Sequence, residues 1–174
     1  MCASKNTVMR TALNGILTTA QVVATCFMAW KALSLWAGTP YPVMIVTTES
    51  MVPAFAPGDI LLISNHHQNV HIGDLPVCWL PDRAFPMVHR VLRVSYEEQS
   101  NPDLTQLILT KGDNNLIDDT LLYPDGQDYL LRSQIIGFVR GYIPFVGWFV
   151  IVLQDFTRLR EVTATLCRAI GLTH

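Results

Sequence analysis

Val43-Met44-Ile45-Val46-Thr47-Thr48-Glu49-Ser50-Met51-Val52-Pro53 is the stretch on which the reading of this chain turns. Its β-branched apolar start, Val43 to Val46, reads as a strand that delivers Ser50 at its end. Pro53 stops regular continuation, and Pro57-Gly58-Asp59 turns the chain into a second apolar run, Ile60 to Ile63. A hydroxyl placed where a strand breaks off is well sited for a nucleophile, because the rigid strand fixes the attacking atom. By itself it is weak, since most Ser residues at strand ends serve turns.

Working outward, the same short-strand pattern fills the middle of the chain. Val43–Thr47, Ile60–Ser64, Pro76–Leu80, Met87–Val94, Leu104–Thr110 and Ser133–Val139 read as strands, punctuated by turns such as Gly73-Asp74, Gly112-Asp113 and Pro124-Asp125-Gly126. No long 3.6-residue period interrupts them. The expected class is mainly β: a compact antiparallel domain of two or more sheets behind one N-terminal transmembrane helix.

Two further clusters give Ser50 its company. His89 stands within the apolar strand Pro86-Met87-Val88-His89-Arg90-Val91, and Lys111-Gly112-Asp113-Asn114-Asn115 with Asp118-Asp119 supplies carboxylates on a loop. Ser, His and Asp are the three groups of an activated hydroxyl nucleophile, with the imidazole neutral enough near pH 7 to accept a proton. Each has a blander role too. A strand His is often a core residue satisfied by backbone, and Asp113 suits an Asx turn. On an extended segment Asp118 and Asp119 point to opposite faces, so only one can meet His89.

These motifs, SM-x-P, GD-I-L, HRV and KGDNN-x-x-DD in that order, followed by the Gly-rich apolar stretch Gly137 to Gly147, resemble the type I signal peptidases. The resemblance runs from about Val43 to Val150 and is closest to the endoplasmic-reticulum form, also found in archaea and some Gram-positive bacteria. That form carries His where the ordinary bacterial enzyme carries a Lys base. The resemblance implies Ser50 as nucleophile, His89 as base and Asp119 as the group that orients it, with Asp113 supporting the loop. It also implies Thr48 as an oxyanion donor beside the Ser50 N–H, signal peptides as substrates and non-catalytic partner subunits. No cofactor is implied. One residue departs from the pattern: the family has Gly before the nucleophile and this chain has Glu49. A free-standing archaeal or bacterial enzyme and a catalytically silent membrane-anchored scaffold are the alternatives.

The 174 residues are half hydrophobic, only 15% charged, and carry a net charge of −2. That is apolar for a soluble domain, and it gives no electrostatic case for nucleic acid. Part of the excess is Thr11 to Trp30, 20 residues without a charge, enough as a helix to cross roughly 30 Å of hydrocarbon. Trp30 and Trp36 would mark the far interface, with Lys31 snorkelling there. Lys5 and Arg10 precede the span, so the positive-inside rule keeps the N-terminus cytosolic and places the rest in the other compartment, which the resemblance implies is the lumen of the endoplasmic reticulum. A cleaved signal peptide ending near Ala32-x-Ser34 and a buried core helix compete with this, but the run is long for the first and uncharged for the second.

The expected division is 1–37 for the N-terminus and anchor, 38–142 for the β-rich peptidase domain, and 143–174 for an apolar membrane-proximal segment. Within that last segment Ile143 to Leu153 is too short to span a bilayer, and Val162 to Leu172 is a weaker apolar stretch. A core strand plus an interfacial helix, touching lipid or partner subunits, is the expected combination. Cys2, Cys26, Cys78 and Cys167 leave Cys78 alone in the central domain, so no disulfide forms within it. His66-His67-Gln68-Asn69-Val70-His71 is polar and lies between strands. It reads as a solvated loop, and no metal is assigned.

Overall fold

A computed structural model describes residues 2–81, 83–97 and 105–155. Helix α1, Cys2–Ala37, leads into eight strands: β1 Val43–Ile45, β2 Ile60–Ser64, β3 Pro76–Cys78, β4 Met87–Val88, β5 Arg90–Glu97, β6 Thr105–Lys111, β7 Leu130–Leu131 and β8 Ile135–Ile143. Residues 147–155 are helical. The strands form a five-stranded sheet in the order β1-β2-β8-β3-β4 and a three-stranded sheet β5-β6-β7, paired antiparallel throughout. The expected β-rich antiparallel class is therefore what the chain adopts.

The expected strand Met87–Val94 is two strands. Met87 and Val88 pair with β3, whereas Arg90 to Glu97 pair with β6, so the chain passes from one sheet to the other at His89. Apolar residues flank this corner on both sides, Met87-Val88 before it and Val91-Leu92 after it, so the pattern alone reads as one strand. The two-residue strand β7 was too short for a period-2 pattern to reveal.

Packing divides in the same way. Met51, Phe55, Leu61, Ile63 and Val77 bury one core against the first sheet. Val70, Cys78, Leu80, Val91, Ile108, Tyr123, Leu130, Ile135 and Phe138 fill a second between the sheets. Strand β6 alternates strictly, with Gln106, Ile108 and Thr110 on its buried face.

Helix α1 continues beyond the uncharged run Thr11 to Trp30, through Lys31 to Ala37. Its portion Val8–Ala37 is long and apolar enough to cross a membrane. The C-terminal end of the helix is tied down by the β domain. Gly38 takes φ 67° and its N–H reaches Leu35 O, the Asn65 N–H donates to Ala37 O, and the His66 ring bonds Trp36 O at 2.8 Å. These contacts satisfy carbonyls that a helix end leaves open. The His-rich piece is irregular, as expected, but it is not merely solvated. Arg132 holds it through Asn65 Oδ1, His67 O and Gln68 O.

The Pro57-Gly58-Asp59 turn couples β2 to the apolar tail. Asp59 is buried, and its carboxylate accepts from the backbone of Ala56 and Phe145. Gly147 N–H donates to Gly58 O, and the Trp148 indole lies where a Gly58 side chain would stand. Within Ile143–Leu153 the strand thus ends at Ile143 and a helical turn follows, leaving Phe145, Phe149 and Val152 exposed. Val162 to Leu172 lies outside the described residues.

Gly58 has φ 91°, and a Cβ added there would collide with the Trp148 indole. Gly58→Ala should therefore lower stability by about 1–3 kcal/mol through overpacking. In a Trp148→Ala background the penalty should shrink, because the two sites share one contact. Thermal unfolding of the detergent-solubilised chain reads both.

Candidate active site

Ser50 follows β1 on a turn, not on the strand itself. Its neighbours pin it: Met51 and Phe55 are buried in the core, and Phe55 N–H bonds Met51 O. From the other side the Gly112–Asn115 loop clamps the same turn. Asn114 N–H donates to Ser50 O at 2.9 Å and Asn114 Nδ2 to Glu49 O at 3.2 Å. Gly112 is needed for this approach, since a Cβ there would lie 2.7 Å from Ser50 O.

His89 sits at the corner between the sheets, only 5% exposed. Its Nε2 is 3.0 Å from Ser50 Oγ and its Nδ1 is 2.6 Å from Asp119 Oδ2. Asp119 is fully buried and opens a short 3-10 helix, Asp119–Leu122. The expected extended segment is thus only half right. Asp118 is extended but acts as the helix cap, its carboxylate taking Thr120 N–H and Oγ1–H. Those bonds hold the exposed Asp118 below the ordinary carboxylate range. The two neighbours do face apart, and Asp119 is the one that meets His89.

Asp113 is placed differently from the expected Asx turn. Arg90 grips it through both arms, Nε to Oδ1 at 2.8 Å and a terminal nitrogen to Oδ2 at 2.7 Å, while also reaching Gly73 O. Its support of the loop runs through this ion pair. The Arg90 guanidinium holds the Asp113 carboxyl below the ordinary range, and Asp113 in turn raises Arg90. Thr48 Oγ1 lies 3.4 Å from Ser50 Oγ, on the exposed side of the hydroxyl. Glu49 is exposed.

Three participants carried no motif. Arg90 was visible only as the middle of HRV. Thr110, fully buried, donates Oγ1–H to Asp119 Oδ2 at 2.7 Å. Tyr123 bonds Thr110 at both its N–H and its hydroxyl, each 3.0 Å. The alternation of β6 was the one available sign, because it placed a Thr on a core-facing position. Cys78 lies in the same interior, its thiol pushed up to about 12 by burial and by Asp119, and is therefore inert. Among the described residues no cluster of His, Cys, Asp or Glu converges to hold a metal ion. Beside Ser50, a surface pocket of about 360 Å³ is lined by Pro53, Arg90, Leu92, Lys111, Gly112 and Asp113.

A hydroxyl, an imidazole and a buried carboxylate in one hydrogen-bonded line can make the hydroxyl a nucleophile near neutral pH. The Arg90–Asp113 pair holds the loop that positions this hydroxyl. Because the folded value of Asp113 is depressed, its stabilising contribution is present above the ordinary carboxylate range and is lost as pH falls through the depressed value. Asp113→Asn should accordingly flatten the acid side of the stability–pH curve. A melting series from pH 3 to 7 on both proteins checks this.

No family model matches the chain. Curated relatives do. The signal peptidase complex catalytic subunit sec11 of Aspergillus terreus is 41% identical over 165 residues, covering 88% of this chain and 86% of the relative. SEC11 subunits of Fusarium vanettenii and Candida dubliniensis are 43% and 40% identical, over 88% and 84% of this chain and 87% and 86% of their own lengths. With that identity over that much of both chains, and with its serine, histidine and aspartate in one bonded line, this chain belongs to the family of signal peptidase complex catalytic subunits.

Proposed function

We propose that the chain is a membrane-anchored serine endopeptidase that removes N-terminal signal peptides from secretory and membrane preproteins. The observation that carries this is the unbroken line Ser50–His89–Asp119, at 3.0 and 2.6 Å. Ser50 Oγ attacks the scissile carbonyl as His89 Nε2 takes its proton. Asp119 holds the ring with Nδ1–H turned toward it and stabilises the imidazolium that forms. His89 then gives the proton to the leaving amine, and a water repeats the sequence on the acyl-enzyme. The Ser50 N–H and the Thr48 hydroxyl are the oxyanion donors of this scheme.

Strand β1 lies at the edge of the first sheet, just ahead of Ser50. An extended substrate adding to that edge brings its carbonyl to the hydroxyl, with main-chain bonds giving register. The relatives are named as subunits of a complex, which favours a complex-bound enzyme over a free-standing one. Residues 1–37 serve as anchor, 38–142 as peptidase domain and 143–174 as the apolar segment facing lipid or partner subunits; exposed Phe145 and Phe149 support that last assignment. Lys5 and Arg10 before the span favour a cytosolic N-terminus and a lumenal catalytic domain in the endoplasmic reticulum.

Ser50→Ala and His89→Ala should each abolish preprotein cleavage, and the double variant should be no worse, since the groups act as a unit. Asp119→Asn should cost far more activity than Asp118→Asn. Residual turnover in either alanine variant, or the reverse ranking of the aspartates, would reject the assignment. For topology, a glycosylation acceptor inserted between residues 96 and 103 should be modified in microsomes, and one placed before Arg10 should not.

A further inference from the structure

We propose that Thr110 and Tyr123 are positioning residues that fix the proton direction of the Ser50–His89–Asp119 line from behind. This rests on the peptidase reading above. Bond directions follow from counting protons. Thr110 has one hydroxyl proton, and it goes to Asp119 Oδ2. The 3.0 Å contact between the two hydroxyls must therefore be donated by Tyr123, with Thr110 accepting. The phenolic oxygen in turn accepts the Thr110 backbone N–H, which locks its orientation. Burial pushes the Tyr123 hydroxyl above its ordinary value, so it keeps the proton that it donates.

The consequence falls on Asp119. Oδ2 accepts from both Thr110 and His89, whereas the equally buried Oδ1 has no partner. All of the donor density thus converges on the oxygen that faces the imidazole. Thr110 stabilises the ionised carboxylate and sets its plane, and an ionised Asp119 requires Nδ1–H on His89. That tautomer leaves Nε2 free to receive the Ser50 proton. The titratable groups facing this pair are Cys78 from β3, inert at about 12, and Tyr123. Asp113, whose carboxylate also feels His89 and Lys111, is paired with Arg90, and Lys111 also acts on the exposed Asp118.

Removing the Thr110 hydroxyl leaves the Asp119 carboxylate with one donor fewer and more basic, so it holds a proton more tightly, whether on itself or on the imidazole beside it. Whichever of the two groups gains a proton first, the acid limb of the rate profile moves to higher pH. The full chain, assembled with its partner subunits in membranes, should be assayed for preprotein cleavage across pH. Thr110→Val keeps the shape and loses the donor. It should lower kcat by roughly tenfold, the scale of losing a supporting bond to an essential group, and leave KM within about twofold. Its acid limb should rise by roughly half to one unit. Thr110→Ser should restore both, and Tyr123→Phe should move both in the same direction by less.

A Thr110→Val enzyme with a wild-type acid limb overturns the proposal, as does a loss that Ser does not rescue. Should Thr110→Val fail to accumulate, Tyr123→Phe decides, and an unmoved limb there overturns it. Ser50→Ala run alongside separates the two readings. Cleavage surviving in Ser50→Ala rejects the peptidase assignment, whereas an inactive Ser50→Ala beside an unaltered Thr110→Val rejects only the positioning role.

Discussion

The His89–Asp119 hydrogen bond is the constraint on which the rest of the domain depends. A carboxylate with no solvent exposure is costly unless hydrogen-bonded, and breaking a buried pair typically costs about 3–5 kcal/mol. Both partners come from places where the fold changes direction. His89 is the single residue between β4 and β5, where the chain changes sheets, and Asp119 opens a 3-10 turn after β6. The interior between the sheets, formed by Val91, Ile108, Leu130 and Phe138, keeps water from the pair. The bond therefore ties the corner where the chain changes sheets to the segment that follows β6.

Ser50 belongs to a different element and needs its own restraints. Two act in opposition: a buried Met51 and Phe55 pull the turn into the first core, and Asn114 holds the Ser50 carbonyl from the second sheet. The Arg90–Asp113 pair keeps that second restraint in place. Arg90 is adjacent to His89 in the chain, so one short segment presents the imidazole and steadies the loop that fixes the hydroxyl. Glu49, the residue that departs from the family pattern, is exposed, and an exposed charge is screened by water and salt.

The anchor meets this domain at a defined joint rather than a linker. Asn65 and His66 close the end of α1, and Arg132 holds the segment they come from. At the far end of the sheet Gly58 and Asp59 take the backbone of residues 145–147, bringing the exposed aromatic side chains Phe145 and Phe149 off the end of β8. Exposed apolar side chains thus line α1 and this turn, and others stand on the segments between strands of the β domain at Ile72, Phe85, Leu116 and Leu121.

The amino-acid sequence by itself determined the short β-branched runs that became strands, the Gly and Pro turns between them and the apolar helix, while Ser50, His89 and Asp119 were singled out through the resemblance of their short motifs to the type I signal peptidases. These are local properties, carried by periodicity and by residue types within a few positions of one another. Tertiary structure decided what no local pattern encodes. Met87 to Val94 reads as one strand because apolar residues flank His89-Arg90 on both sides, and only the partners β3 and β6 show that it belongs to two sheets. Asp113 had the look of a turn residue until Arg90 was seen to hold it. Thr110 and Tyr123 are 13 residues apart and chemically ordinary, and became significant only when folding buried them against Asp119. A hydrogen bond to a buried carboxylate depends on where two side chains meet in space, and sequence spacing alone does not carry that information.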